Sequence, residues 1–105
     1  MNDRLLSAIS LCRKAGKLRL GGDVAREEAL SGGAKLMLLS ADLAARSNRQ
    51  TRFACGERVP VRELPFSMEE LSRVTGRRCG IMAVCDEGFA KMISGLLPPG
   101  PDEKT

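Results

Sequence analysis

Gly16-Lys17-Leu18-Arg19-Leu20-Gly21-Gly22-Asp23-Val24, followed by Ala34-Lys35-Leu36-Met37-Leu38-Leu39-Ser40-Ala41-Asp42, decides how this chain reads. The first segment is a short strand, Lys17–Leu20, running into a glycine pair that opens a helix at Gly22 or Asp23. The second holds a continuous apolar run, Leu36–Leu39, as expected of a central strand covered on both faces. A helix opened by glycine leaves its first N–H groups without acceptors and turns the positive end of its dipole outward. Such a junction attracts anions, phosphate above all.

Working outward, Asn2 or Asp3 caps a first helix in which Leu5, Leu6, Ile9 and Cys12 follow helical spacing, with Gly16 at its end. After Gly22, the residues Val24, Ala25 and Ala29 are expected inward and Glu27–Glu28 outward, until Ser31-Gly32-Gly33 stops the helix. Ser40 or Asp42 is expected to cap a third helix reaching about Cys55, with Arg46, Arg49 and Arg52 on one broad stripe. Val59–Leu64 reads as a strand whose Pro60 favours a sheet edge. Ser67-Met68-Glu69-Glu70 has the spacing of a capping box, with Phe66 and Leu71 placed as a hydrophobic staple, and that helix ends at Gly76. Ile81–Cys85 is another buried strand; Asp86 caps a last helix docked by Phe89, Ile93 and Leu96. The chain is expected to form one domain over residues 1–97, with 98–105, beginning Pro98-Pro99-Gly100-Pro101, as a flexible tail. Alternating helix and strand predicts an α/β sandwich with helices on both sides of a small sheet.

The composition narrows the function. At 105 residues the chain holds one core, and no apolar run approaches the roughly 18 residues of a membrane span. Its start lacks the apolar stretch of a signal peptide, which makes a cytoplasmic location the expectation. The four cysteines, Cys12, Cys55, Cys79 and Cys85, form no Cys-x-x-Cys pair and there is no histidine, so they are expected to be small buried or half-buried thiols, with no metal site. Without histidine no Ser–His or Cys–His pair exists, and the acids fall on caps and helix faces; neither enzyme nor cofactor is expected. Nucleotide fingerprints of the Gly-x-Gly-x-x-Gly and Gly-x-x-x-x-Gly-Lys type are missing too. A net charge of +4 suits a nucleic-acid partner. Phe53, Phe66 and Phe89 stand where packing explains them, so base stacking is not expected.

Arg13-Lys14-Ala15-Gly16-Lys17-Leu18, Gly21, Ser31-Gly32, Ala34-Lys35-Leu36, Val59-Pro60, Leu71-x-x-Val74-x-Gly76 and Asp86-Glu87-Gly88-Phe89-Ala90-Lys91 occur in an order and spacing that resembles the ribosomal L-seven-Ae family of kink-turn RNA binders, and within it the short bacterial YlxQ-like branch. The likeness spans roughly residues 3–97. It implies a three-layer α-β-α sandwich around a small mixed four-stranded sheet, acting as a ribosomal-protein-like, non-catalytic RNA-binding module. Structured RNA, notably rRNA, is the implied partner, with the ribosome itself as a further one; no membrane is involved and the free protein is expected to be a monomer. In the family the start of the second helix enters the RNA groove and a loop before the last strand covers extruded bases, which here correspond to Gly21–Glu27 and Thr75–Gly80.

The candidate RNA-binding residues are therefore Gly21, Gly22, Asp23 and Arg26 at the helix start, Lys14, Lys17 and Arg19 flanking it, and Arg77 and Arg78 in the loop. The Arg46/Arg49/Arg52 stripe is expected to face away from them, as a solvated face or a second rRNA contact. Kink-turn binders carry Gly-x-Asn-Glu-x-x-Lys at the helix start, and this chain departs from that pattern. Asp23 can only accept where Asn both donates and accepts, Val24 replaces an acceptor, and Glu27 replaces a cation. A rival expectation follows: a protein-interaction scaffold of the same fold that has lost kink-turn binding.

Overall fold

Helices and strands alternate along the computed structural model, which describes residues 3–97. The tail from Pro98 and Asn2 as a first cap lie outside the described residues. In chain order the elements are α1 (Asp3–Lys14), β1 (Leu18–Leu20), α2 (Gly22–Ser31), β2 (Leu36–Leu39), α3 (Ala45–Cys55), β3 (Val61–Glu63), α4 (Met68–Thr75), β4 (Ile81–Val84) and α5 (Glu87–Leu96). The strands lie in the order β1-β4-β2-β3. β4 runs antiparallel to both neighbours, with Leu20 opposite Met82 on one side and Leu39 opposite Ile81 on the other. β2 and β3 are parallel, with Met37 opposite Val61. β3 takes the edge position that Pro60 favours: Pro60 has no N–H to give, but its carbonyl accepts from the Met37 N–H at 2.9 Å.

Successive strand side chains point to opposite faces, and that alternation builds two cores. Leu36 and Leu38 of β2, with Met82 and Val84 of β4, join Leu5, Ile9, Leu71 and Ile93 from α1, α4 and α5. Met37 and Ala83 turn the other way, onto Ala25 and Ala29 of α2 and Cys55 of α3. The chain is thus an α-β-α sandwich around a mixed four-stranded sheet. The first face holds large aliphatic groups, each contributing about 1.5–3 kcal/mol on full burial. The second is built mainly from alanines, which let α2 lie close against the sheet and gain less per residue.

The helix ends follow the sequence closely, with one exception. In α4 the Ser67 hydroxyl accepts from the Glu70 N–H at 3.1 Å and the Glu70 carboxylate accepts from the Ser67 N–H at 2.8 Å, completing the capping box. Asp86 accepts from the Phe89 N–H at 2.9 Å and so caps α5. The exception is α3, which begins at Ala45 behind Ala44 with no side-chain cap. Asp42 has been taken by another partner: its Oδ1 accepts from the Met68 N–H at 3.0 Å, tying the end of β2 to the start of α4. A contact across the fold has outcompeted the local cap.

Desolvation works against the Asp42 carboxylate, but hydrogen bonds led by the Met68 N–H, together with the Arg78 guanidinium, hold its carboxyl below the ordinary 3.8. A depressed carboxyl stabilises the fold above its unfolded pKa, and that contribution is lost as pH falls through the folded value. Asp42→Ala should therefore lower the urea midpoint at neutral pH, with the gap from the parent closing in strong acid. A gap that stays constant down the acid limb would contradict this account.

Phe53 is a second correction. In α3 the inward residues are Thr51 and Cys55, both buried. Phe53 lies two residues from each, about 200° around the helix, and is 90% exposed. Phe66 is buried and Phe89 packs against the larger core, as the sequence predicts.

Candidate nucleic-acid interface

Because β1, β2 and β3 run one way and β4 the other, the ends of β1 and β2 meet the start of β4 at one end of the sheet. Three segments collect there: Gly21-Gly22 after β1, Ser40–Asp42 after β2, and the Thr75–Gly80 loop before β4. The Gly21 N–H donates to Ile81 O at 2.9 Å, which fastens the start of α2 to the start of β4.

Gly21 is the N-cap residue of α2, at φ 109° and ψ 147°, a conformation essentially confined to glycine. No side chain caps this helix. The first intrahelical bond across the cap runs from the Ala25 N–H to Gly21 O, so the N–H groups of Gly22, Asp23 and Val24 have no acceptor within the helix. A Cβ at Gly22 would lie 3.3 Å from Ile81 Cδ1, a tight contact that the end of that side chain would have to give way to.

Cationic groups surround this opening. Arg77 reaches across to donate to Leu20 O at 3.3 Å, which puts its guanidinium 3.0 Å from where a Gly21 Cβ would stand. The loop that carries it is braced from within: the buried Thr75 hydroxyl sits 2.9 Å from Arg77 O and 3.0 Å from Leu71 O, sharing one proton between them. Arg78 is exposed on the same loop and acts on Asp42 at the end of β2. Gly80 closes the loop over the buried Ser40 hydroxyl, and a Cβ there would lie 2.9 Å from both Ser40 Oγ and Leu43 Cδ1. Arg13, which sequence reasoning did not single out as a site residue, lays its guanidinium over Gly76, 3.1 Å from a Cβ built there. Its signal was present in the adjoining Lys14 and in the family-like run that begins at Arg13.

The remaining candidates divide. Asp23 and Arg26 are at the helix start, but they are paired with each other, Arg26 donating to Asp23 Oδ1 at 2.6 Å. Glu27 is exposed beside them. Lys17 precedes β1 at the opposite end of the sheet, where its carbonyl accepts from the Cys85 N–H at 2.8 Å, and Lys14 is exposed on the last turn of α1. Arg19 donates to Gly16 O at 3.0 Å and lies 3.6 Å from the Glu28 carboxylate. The structure thus gathers Gly21, Gly22, Asp23, Arg26, Arg77 and Arg78, and does not bring Lys17 or Arg19 to the same face. The physical reason is strand extension: at about 3.3 Å per residue, four residues carry Lys17 roughly 13 Å from Gly21.

The thiols are as the sequence predicts, Cys12 and Cys55 buried and Cys79 and Cys85 half-buried. Burial, with Asp86 and Cys85 nearby, pushes the Cys12 thiol up to about 11. Burial also raises Cys79, although Arg77 and the Gly21 N–H pull the other way. Cys79, packed against the larger core, is therefore a neutral thiol.

No family model matches the sequence, and no curated protein matches it. Solved structures do. A protein of unknown function from Bacillus halodurans superimposes with a TM-score of 0.82 at 24% identity, over 89% of this chain and 95% of that one. The 15.5 kD RNA binding protein of Giardia lamblia superimposes with a TM-score of 0.70 at 17% identity, over 89% of this chain and 81% of that one. By fold, then, this chain is similar to a bacterial protein of unknown function and to a eukaryotic RNA-binding protein.

Proposed function

We propose that this chain is a non-catalytic, cytoplasmic RNA-binding protein, resembling a ribosomal protein, that recognises structured RNA of the kink-turn type as a monomer, with rRNA in the ribosome as its partner. The observation that carries this reading is the uncapped start of α2, held in a glycine-only conformation, with the Arg77 side chain reaching across beside it. Backbone N–H groups and guanidiniums converging on one opening suit phosphate oxygens, which position a protein on RNA without specifying sequence. The fold shared with an RNA-binding protein supports the same choice of ligand. Arg77 and Arg78 are given the phosphates, and Gly21 and Gly22 the close backbone approach. Asp23 and Arg26 act as a paired edge, while Lys14, Lys17 and Arg19 supply longer-range attraction.

The Asp23–Arg26 pair and the exposed Glu27 favour the rival scaffold, because they put a carboxylate where a phosphate backbone would pass. Polarisation titrations against a kink-turn RNA and an uninterrupted duplex of equal length separate the two. The RNA reading expects at least tenfold tighter binding to the kink-turn, weakening as salt rises because phosphate contacts release counterions. Equal affinities, or a flat salt response, hand the fold to the scaffold. In the same assay Glu27→Lys should tighten kink-turn binding several-fold and steepen the salt dependence by about one phosphate contact. No gain would exclude this RNA class.

A further inference from the structure

We infer that the exposed face shared by α2 and α3 is a stacking site for an unpaired RNA base, with Phe53 as the platform; the inference rests on the RNA reading above. An isolated apolar side chain on a surface is ordinary. What sets Phe53 apart is its surroundings. The ring borders a shallow hollow of about 500 Å³ lined by Arg26 from α2 and by Arg49, Gln50 and Ala54 from α3. Two arginines from different helices line the same hollow as the ring, and no carboxylate-bearing residue is among its lining residues.

Each element of that arrangement has a use for a nucleotide. A bare aromatic face stacks with any base, and flanking arginines meet the phosphates on either side of it. The Gln50 amide both donates and accepts, as a base edge requires. Arg49 and Phe53 stand four residues apart and so share one helix face. Among the described residues Arg49 has no ion-pair partner. Arg26 is tied to Asp23 through one nitrogen, which leaves further donors on a group that carries five N–H bonds.

Position supports the same occupant. Arg26 lies four residues, about 6 Å, along α2 from Gly22. A strand leaving a duplex held at the helix start would therefore reach the platform within about one turn of α2, passing the Asp23 carboxylate that Arg26 already pairs. A protein partner fits less well, since a stable interface buries on the order of 1,200 Å² or more around an apolar centre, and the lining of this hollow is mainly polar, two arginines and a glutamine beside Phe53 and Ala54.

The test uses the full chain and a single-stranded 12-nucleotide RNA carrying a central 2-aminopurine, whose fluorescence is quenched on stacking. The parent protein should bind and quench it. Phe53→Ala should lose the quench and weaken binding at least fivefold, while Phe53→Trp should retain both. Because Phe53 is 90% exposed, thermal denaturation should show Phe53→Ala folded as the parent is. The Arg77→Ala/Arg78→Ala protein should still quench, because it alters the other site. Parent-like quenching by Phe53→Ala would overturn the inference, and so would absence of single-strand binding alongside intact kink-turn binding. Loss of kink-turn binding with a Phe53-dependent quench preserved would uphold this site and defeat the kink-turn reading instead. If Phe53→Ala leaves RNA binding unchanged but abolishes a concentration-dependent dimer in sedimentation, the face is a self-contact and the inference falls.

Discussion

Replacing Arg77 and Arg78 together by alanine should lower affinity for a kink-turn RNA at least tenfold and leave the melting temperature nearly unchanged. Both side chains are exposed. The bond from Arg77 to Leu20 O is long, at 3.3 Å, and open to water, so its loss costs the fold little. Arg78 gives Asp42 a favourable field, but Asp42 keeps its hydrogen bond to Met68 when that field is gone. On RNA the same two groups are worth more, as charge-assisted contacts to phosphate. Two lost phosphate contacts should also flatten the plot of log affinity against log salt by about 1.5. Undiminished binding by the double variant would remove the loop from the interface. A large drop in melting temperature would mean that the arginines act through the fold.

Gly21→Ala should damage stability and binding together. At φ 109° and ψ 147° an L side chain is strained by about 1–3 kcal/mol, which for a domain of this size lowers the melting temperature by roughly 5–20 °C. The new methyl would also meet the Arg77 guanidinium at 3.0 Å and push it off the opening. Gly16→Ala is the fitting control. Gly16 also has positive φ, 76°, but nothing lies within 4 Å of a Cβ there. It should cost about 1 kcal/mol and leave RNA affinity unchanged. If Gly21→Ala melts and binds as the parent does, the proposed close approach at the start of α2 is wrong.

Much of this architecture is legible in the sequence. The four-residue apolar run of β2 is buried throughout and lies between two neighbours, as its lack of alternation predicts. The Ser67–Glu70 box and the Asp86 cap were legible because capping needs partners only two or three residues away. Asp42 defeats the same reasoning, since its acceptor role is claimed by Met68, 26 positions along the chain. Phe53 shows the limit of reading residue type alone: the structure turns Thr51 and Cys55 inward, and helical geometry then sets Phe53 on the opposite, solvent side of α3.

Local order along the chain was enough to establish the elements, the caps of α4 and α5 and the two-sided burial of β2, because each depends on neighbours within a turn or on simple periodicity. Which residues stand together at the candidate site depended on strand order and direction. Lys17 and Arg19, a few residues before Gly21, are carried away from it by an extended strand, while Arg77, 57 positions beyond Leu20, is brought against it because β4 runs antiparallel beside β1.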